Sequence, residues 1–179
     1  MFALAGQLAG QNATPSLTLL SRDSRRPMPI AVVGGREYVS LEDLAAAFQL
    51  AVREEAGAIT VTYRGRTIVL TPDQALASVS GRLLSLPAPV VRASARWAVP
   101  LEFISRALAP AYDTKLELRA PSHLLIVGDL RVPRLAMRYD AVGTGARLTV
   151  DATPQTASVV TQESGRMTIR FDADALDAG

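Results

Sequence analysis

The sequence predicts an α+β fold: a duplicated strand-helix-hairpin domain with an antiparallel sheet and two helices over residues 28–129, then an all-β segment, 130–179, patterned as part of a β-sandwich. Three observations predict it. The stretch GREYVSLEDLAAAFQLAV (35–52) returns in degenerate form as ARWAVPLEFISRALAPAY (95–112), placing Arg36 on Arg96, Val39 on Val99, Leu41 on Leu101, Glu42 on Glu102 and Phe48 on Leu108. AITVTYRGRTIVL (58–70) alternates β-branched residues about a Gly, a hairpin signal. From Leu130 onward helical periodicity stops, and RLTVDA (147–152) and RMTIRFDA (166–173) alternate as strands.

Taken in order, residues 1–27 carry little pattern and read as the remnant of an export signal or as a disordered linker, with order beginning near Met28. MPIAVVGGREYVS then reads as a hairpin turning at Gly34-Gly35, where positive φ is tolerated. Ser40 is placed to cap the following helix, with Asp43 as its capping-box partner. Leu41, Leu44, Ala45 and Phe48 give that helix one apolar face, and Glu54-Glu55 beyond it fall in solvent. A hairpin turning at Arg64-Gly65 and a strand pair about Gly81 follow, and Pro87 and Pro89 bracket an irregular crossing. In the second copy Trp97–Val99 form a strand and Pro100 takes the first helical position, with Glu102 in the first turn. Leu101, Ile104 and Leu108 form the buried stripe, and TKLELRAPSHLLIVGD closes the unit as a hairpin with its loop at Ala120–His123. The all-β segment stops at Gly179 with no finishing strand, the pattern expected of a chain cut inside a longer protein.

Composition narrows the function. The 179 residues are 49% hydrophobic and 20% charged, with a net charge of +2 spread along the chain, which supplies neither a basic stripe for nucleic acid nor an acidic tail. No apolar run is long enough for a membrane span. With no Cys and one His, disulfides, thiolate metal sites and thiol nucleophiles are excluded.

Residues 28–129, with doubled strand-to-helix segments of the form G/A-R-x-x-V-S/P-L-E-x-L/I, resemble the copper amine oxidase N-terminal-like domain. The second segment, Arg96-Trp97-Ala98-Val99-Pro100-Leu101-Glu102-Phe103-Ile104, carries the closer match, with Glu102 where that family commonly has Arg. The resemblance implies an accessory module of exported bacterial wall and surface proteins, with no copper ligands. Residues 130–179 resemble the first part of an AMIN domain, a β-sandwich wall-targeting module. The order of the two modules is similar to the N-terminal region of bacterial N-acetylmuramoyl-L-alanine amidases. It implies a non-catalytic region that localises a parent enzyme to peptidoglycan in the periplasm or elsewhere in the cell envelope. No cofactor is expected here, and zinc is expected in a downstream catalytic domain alone.

Catalytic and metal-ligating residues are therefore expected to be none. His123 reads as a solvated turn residue, and Gly34-Gly35 as a hairpin turn with no phosphate-loop pattern behind it. The ligand-binding candidates are Trp97, Arg147, Arg166 and Arg170. Trp97 replaces Glu37 of the first copy; exposed, it offers a ring for stacking on a sugar, and otherwise it packs between the copies or against the second domain. The three arginines sit at outward strand positions, suited to stem-peptide carboxylates or to simple solubility. The expected partner is peptidoglycan, or an envelope protein if the region is a protein–protein scaffold.

Overall fold

The computed structural model describes residues 15–179. It is mostly β, with two helical segments and several antiparallel sheets. The strands are β1 (Ser16–Leu20), β2 (Arg25–Val33), β3 (Arg36–Ser40), β4 (Ala51–Glu55), β5 (Ala58–Tyr63), β6 (Arg66–Leu70), β7 (Leu76–Val79), β8 (Arg82–Ser85), β9 (Val91–Ala93), β10 (Arg96–Pro100), β11 (Leu116–Arg119), β12 (Leu124–Val127), β13 (Arg134–Val142), β14 (Gly145–Thr153), β15 (Ser158–Glu163) and β16 (Arg166–Phe171). A seven-stranded sheet runs β11-β12-β1-β2-β3-β10-β9, and a five-stranded antiparallel meander runs β4 to β8. One core joins them: Leu17, Ile30, Val39, Val99 and Leu125 from the first sheet meet Ile59, Val61, Ile68 and Leu70 from the second. The alternation read at 58–70 is the burial pattern seen, with Ile59, Val61, Ile68 and Leu70 all inside.

Helix α1 (Leu41–Phe48) packs Leu41, Leu44 and Phe48 into this core. Ser40 Oγ accepts from the Asp43 N–H at 3.3 Å, satisfying one orphan donor of the first turn. The reciprocal half of the expected capping box is not made. An Asp side chain is one methylene shorter than the Glu that usually reaches back, and the Asp43 carboxylate accepts from Arg96 instead, at 3.1 Å. Replacing Ser40 by Ala is expected to cost about 1 kcal/mol in urea unfolding.

Three expectations are corrected. Residues 16–27, read as linker, are β1 and the start of β2, and Leu17 and Leu19 of β1 are buried. SLTLL is a strand too short to stand out by itself, and β1 becomes central because β2 pairs with one edge and β12, parallel, with the other. The export-remnant reading of residues 1–14 lies outside the described residues. Pro100 does not open a helix. It ends β10 opposite Tyr38, and the Leu101 N–H donates to Glu37 O at 3.0 Å. The helix starts later: Ile104–Leu108 wind as a wide π-type turn that passes into one α-turn, α2 (Ala109–Ala111). Pro110 explains the widening, because it has no N–H to donate to the Arg106 carbonyl and its ring pushes that carbonyl aside, and the Ala109 N–H reaches back to Ile104 O.

The third correction concerns residues 130–179. No sandwich forms among the described residues; β13–β14 and β15–β16 are two separate hairpins. Register puts Leu135, Met137, Tyr139 and Ala141 beside Ala152, Val150, Leu148 and Ala146, so one face of the first hairpin is wholly apolar. That face is open, with Tyr139 72% and Met137 62% exposed. The base of the hairpins is fixed to the rest. Val132, Leu130 and Ala175 pack on Leu124 and Ile126, and Arg119 and Asp177, 8% and 6% exposed, form an ion pair at 3.0 Å. Ser122 Oγ also donates to Asp177, at 3.1 Å. Burial raises the Asp177 pKa, but the hydrogen bonds from Arg119, Ser122 and the Gly179 N–H outweigh it and hold the carboxyl below its ordinary value.

Candidate functional site

A groove of about 410 Å³ lies between α1 and the edge of β2 that is unpaired among the described residues. It exists because β3 pairs with β2 only from Ile30 onward. Pro27 and Pro29 lack the N–H a further ladder would need, and after Ser40 the chain turns into α1. Met28, Phe48 and Tyr112 supply an apolar floor, and Ala46 and Ala47, both exposed on α1, form one wall. Phe48 meets Tyr112 edge-on at 5.2 Å, and Tyr63 lies against the Tyr112 ring at 4.4 Å. Burial, then the neighbouring Tyr63, raise the Tyr112 phenol above its ordinary pKa, so it stays a neutral hydroxyl. The polar groups lie at the rim: exposed Arg26, Asp43, and the Ser21 and Ser24 hydroxyls, 2.9 Å apart. Such a site suits a ligand with a small apolar body and charged ends.

The residues anticipated from sequence do not converge. Trp97 is half-buried at the rim of the core, on the same side of β10 as Val99. The Arg92 guanidinium covers its ring at 4.4 Å, and its Nε1 donates to Glu54 Oε2 at 2.8 Å. Arg92 donates to the same oxygen at 2.9 Å. Trp97 is thus a clip between the two sheets, from β10 to β4, and its stacking face is already taken by Arg92. Glu54, read as a solvated charge beyond a helix, is the strand residue that completes the clip. Arg147 lies on the first hairpin, whereas Arg166 and Arg170 share one face of β16 on the second; all three are exposed. His123 is not a free turn residue either. At φ 46° it closes the β11–β12 loop, and its Nε2 donates to Glu37 Oε1 at 2.7 Å.

Sequence reasoning missed the groove. Its parts come from four separate stretches, and the one local signal was the paired prolines Pro27 and Pro29, which mark a strand edge without a partner among the described residues.

Compared with known families, residues 25–116, just over half of the chain, match the copper amine oxidase N-terminal domain. No curated protein and no solved structure matches the chain. The residues do not fit a copper ion: the chain has one His and no Cys, and among the described residues no three His, Asp or Glu side chains converge. Among those residues, too, no helix is long and apolar enough to cross a membrane. The match spans both strand-to-helix segments and the meander between them, and on that ground the chain belongs to the copper amine oxidase N-terminal domain family.

Proposed function

We propose that this chain is a non-catalytic accessory region of an exported peptidoglycan amidase, an N-acetylmuramoyl-L-alanine amidase, and that it holds the parent enzyme at the cell wall. The carrying observation is the groove, whose apolar floor lies between a rim cation, Arg26, and a rim carboxylate, Asp43. Peptidoglycan stem peptides combine methyl side chains with free carboxylates and amines. Arg26 would take a carboxylate and the floor the methyls, while Asp43, already paired with Arg96, offers a second oxygen to an amine. The amidase parent and the envelope location rest on the order of the two modules in the sequence, an AMIN-like segment following the recognised domain. The antiparallel pairing of β3 with β10, which sets Val39 opposite its repeat counterpart Val99, is what a duplicated unit folded about a local two-fold axis would give.

Retention of the purified chain on isolated sacculi tests this reading. Wild type is expected to be retained, and Ala47→Trp, which fills the groove from an exposed position, and Arg26→Glu are each expected to cut retention about tenfold. Equal retention of all three proteins, or none above a control protein, would sink it.

A second reading, a scaffold for envelope proteins, is favoured by one observation: the open apolar face of the β13–β14 hairpin.

A further inference from the structure

The edge of β14 away from β13, unpaired among the described residues, is complementary to itself. Read from Arg147 to Asp151, it runs Arg-Leu-Thr-Val-Asp, so an antiparallel copy centred on Thr149 sets Arg147 against Asp151, Leu148 against Val150, and Thr149 against Thr149. Hydrogen-bond parity allows that register. The Gly143-Thr144 turn closes on the pair Val142–Gly145. Alternation from that closing pair sends the amides of Gly145, Arg147, Thr149 and Asp151 to β13 and those of Ala146, Leu148, Val150 and Ala152 to the open edge. Pairing about Thr149 matches even residues with even ones, so Leu148 and Val150 exchange backbone bonds. Arg147 and Asp151 then face each other in the non-hydrogen-bonded positions, where cross-strand side chains come closest.

The edges of β16 and β13 do not offer this. Pairing β16 with itself about Thr168 would oppose Arg166 to Arg170, like against like. The far edge of β13 is engaged at its start, where the Leu135 N–H donates to Asp177 O at 2.7 Å and the Asp177 N–H to Pro133 O at 3.1 Å. A lone two-stranded hairpin is marginal in water, whereas four strands with a shared apolar face are not.

We propose that β14 is a homodimerisation edge: a second copy of this chain pairs with it antiparallel about Thr149, giving a four-stranded sheet β13-β14-β14-β13 with one continuous apolar face. This goes beyond wall binding and does not depend on it.

The chain has no cysteine, so single cysteines report register directly. At a non-hydrogen-bonded pair on the two-fold axis the Cα atoms lie about 4.5 Å apart, within disulfide reach, whereas two copies of residue 147 lie about 13 Å apart. Under mild oxidation, the full chain carrying Thr149→Cys is expected to form a covalent dimer. Arg147→Cys alone and Asp151→Cys alone are expected to remain uncrosslinked, while a mixture of the two crosslinks. Sedimentation equilibrium of the cysteine-free protein is expected to show a reversible dimer. Thr149→Cys failing to crosslink, equal crosslinking at all three positions, or a cysteine-free protein that stays monomeric at every concentration would overturn the proposal.

Discussion

Replacing Phe48 by Ala lowers the unfolding free energy by about 3–5 kcal/mol, the range for removing a buried aromatic ring. Phe48 is 2% exposed and ends α1, the element that packs between the two sheets. Its ring meets Tyr112 edge-on, and Tyr112 in turn lies against Tyr63 of the meander. The deletion therefore opens a cavity where the helix, the α2 turn and the second sheet meet, and a wall shared by three elements cannot easily collapse into it. Phe48→Leu keeps most of the volume and is expected to cost about 1 kcal/mol. Urea denaturation followed by Trp97 fluorescence reads both, because Trp97 lies across the same sheet-to-sheet boundary. A loss below about 1 kcal/mol for Phe48→Ala would contradict this placement of the ring.

Replacing Asp177 by Ala costs about 3 kcal/mol in the docking of residues 130–179, since it leaves the buried Arg119 guanidinium short of its partner. Glu117, at 2.7 Å from Arg119 Nε, stays in place and keeps the loss from being larger. Because the folded carboxyl titrates below its unfolded value, the contribution is complete above the unfolded value of about 4 and disappears as pH falls through the lower folded one. Asp177→Asn retains an acceptor for Ser122 but removes the titration. Its stability is expected to vary less with pH between about 5 and 2 than that of wild type. Hydrogen exchange of the Leu135 amide, which donates to Asp177 O, reports the docking locally. Unchanged protection of that amide in Asp177→Ala would rule out the clamp.

Both predictions rest on residues the sequence made visible to different degrees. Phe48 was legible: its place at i+7 from Leu41 on one helical face is sufficient reason for burial. The hairpins at Gly34-Gly35, Arg64-Gly65 and Gly81 were legible too, because turn chemistry and alternation act over a few residues. Asp177 was not. Its partner Arg119 is 58 residues away, and nothing in the composition around either residue distinguishes a buried ion pair from two solvated charges. Trp97 stands out in the sequence because it replaces Glu37 of the first copy, but its use depends on Arg92 and Glu54, which arrive from different strands. Arg166 and Arg170 share one face of β16, as strand parity alone requires, whereas Arg147 stands on the other hairpin, a separation that only the spatial order of the hairpins decides.

The sequence by itself determined the family, the first strand-to-helix segment with its Ser40 cap, the hairpin turns, the β character of the last fifty residues and the presence of one His and no Cys. The family rests on the match over residues 25–116; the rest follow from periodicity, turn residues and composition, all short-range. Only the tertiary structure decided that SLTLL is a central strand, that Pro100 ends a strand instead of opening a helix, and that the last segment is two open hairpins. It also decided that a groove lies where β2 has no neighbour. Each of these turns on which strand edge is left unpaired and which apolar face is covered, and that is settled by contacts between residues far apart in the chain.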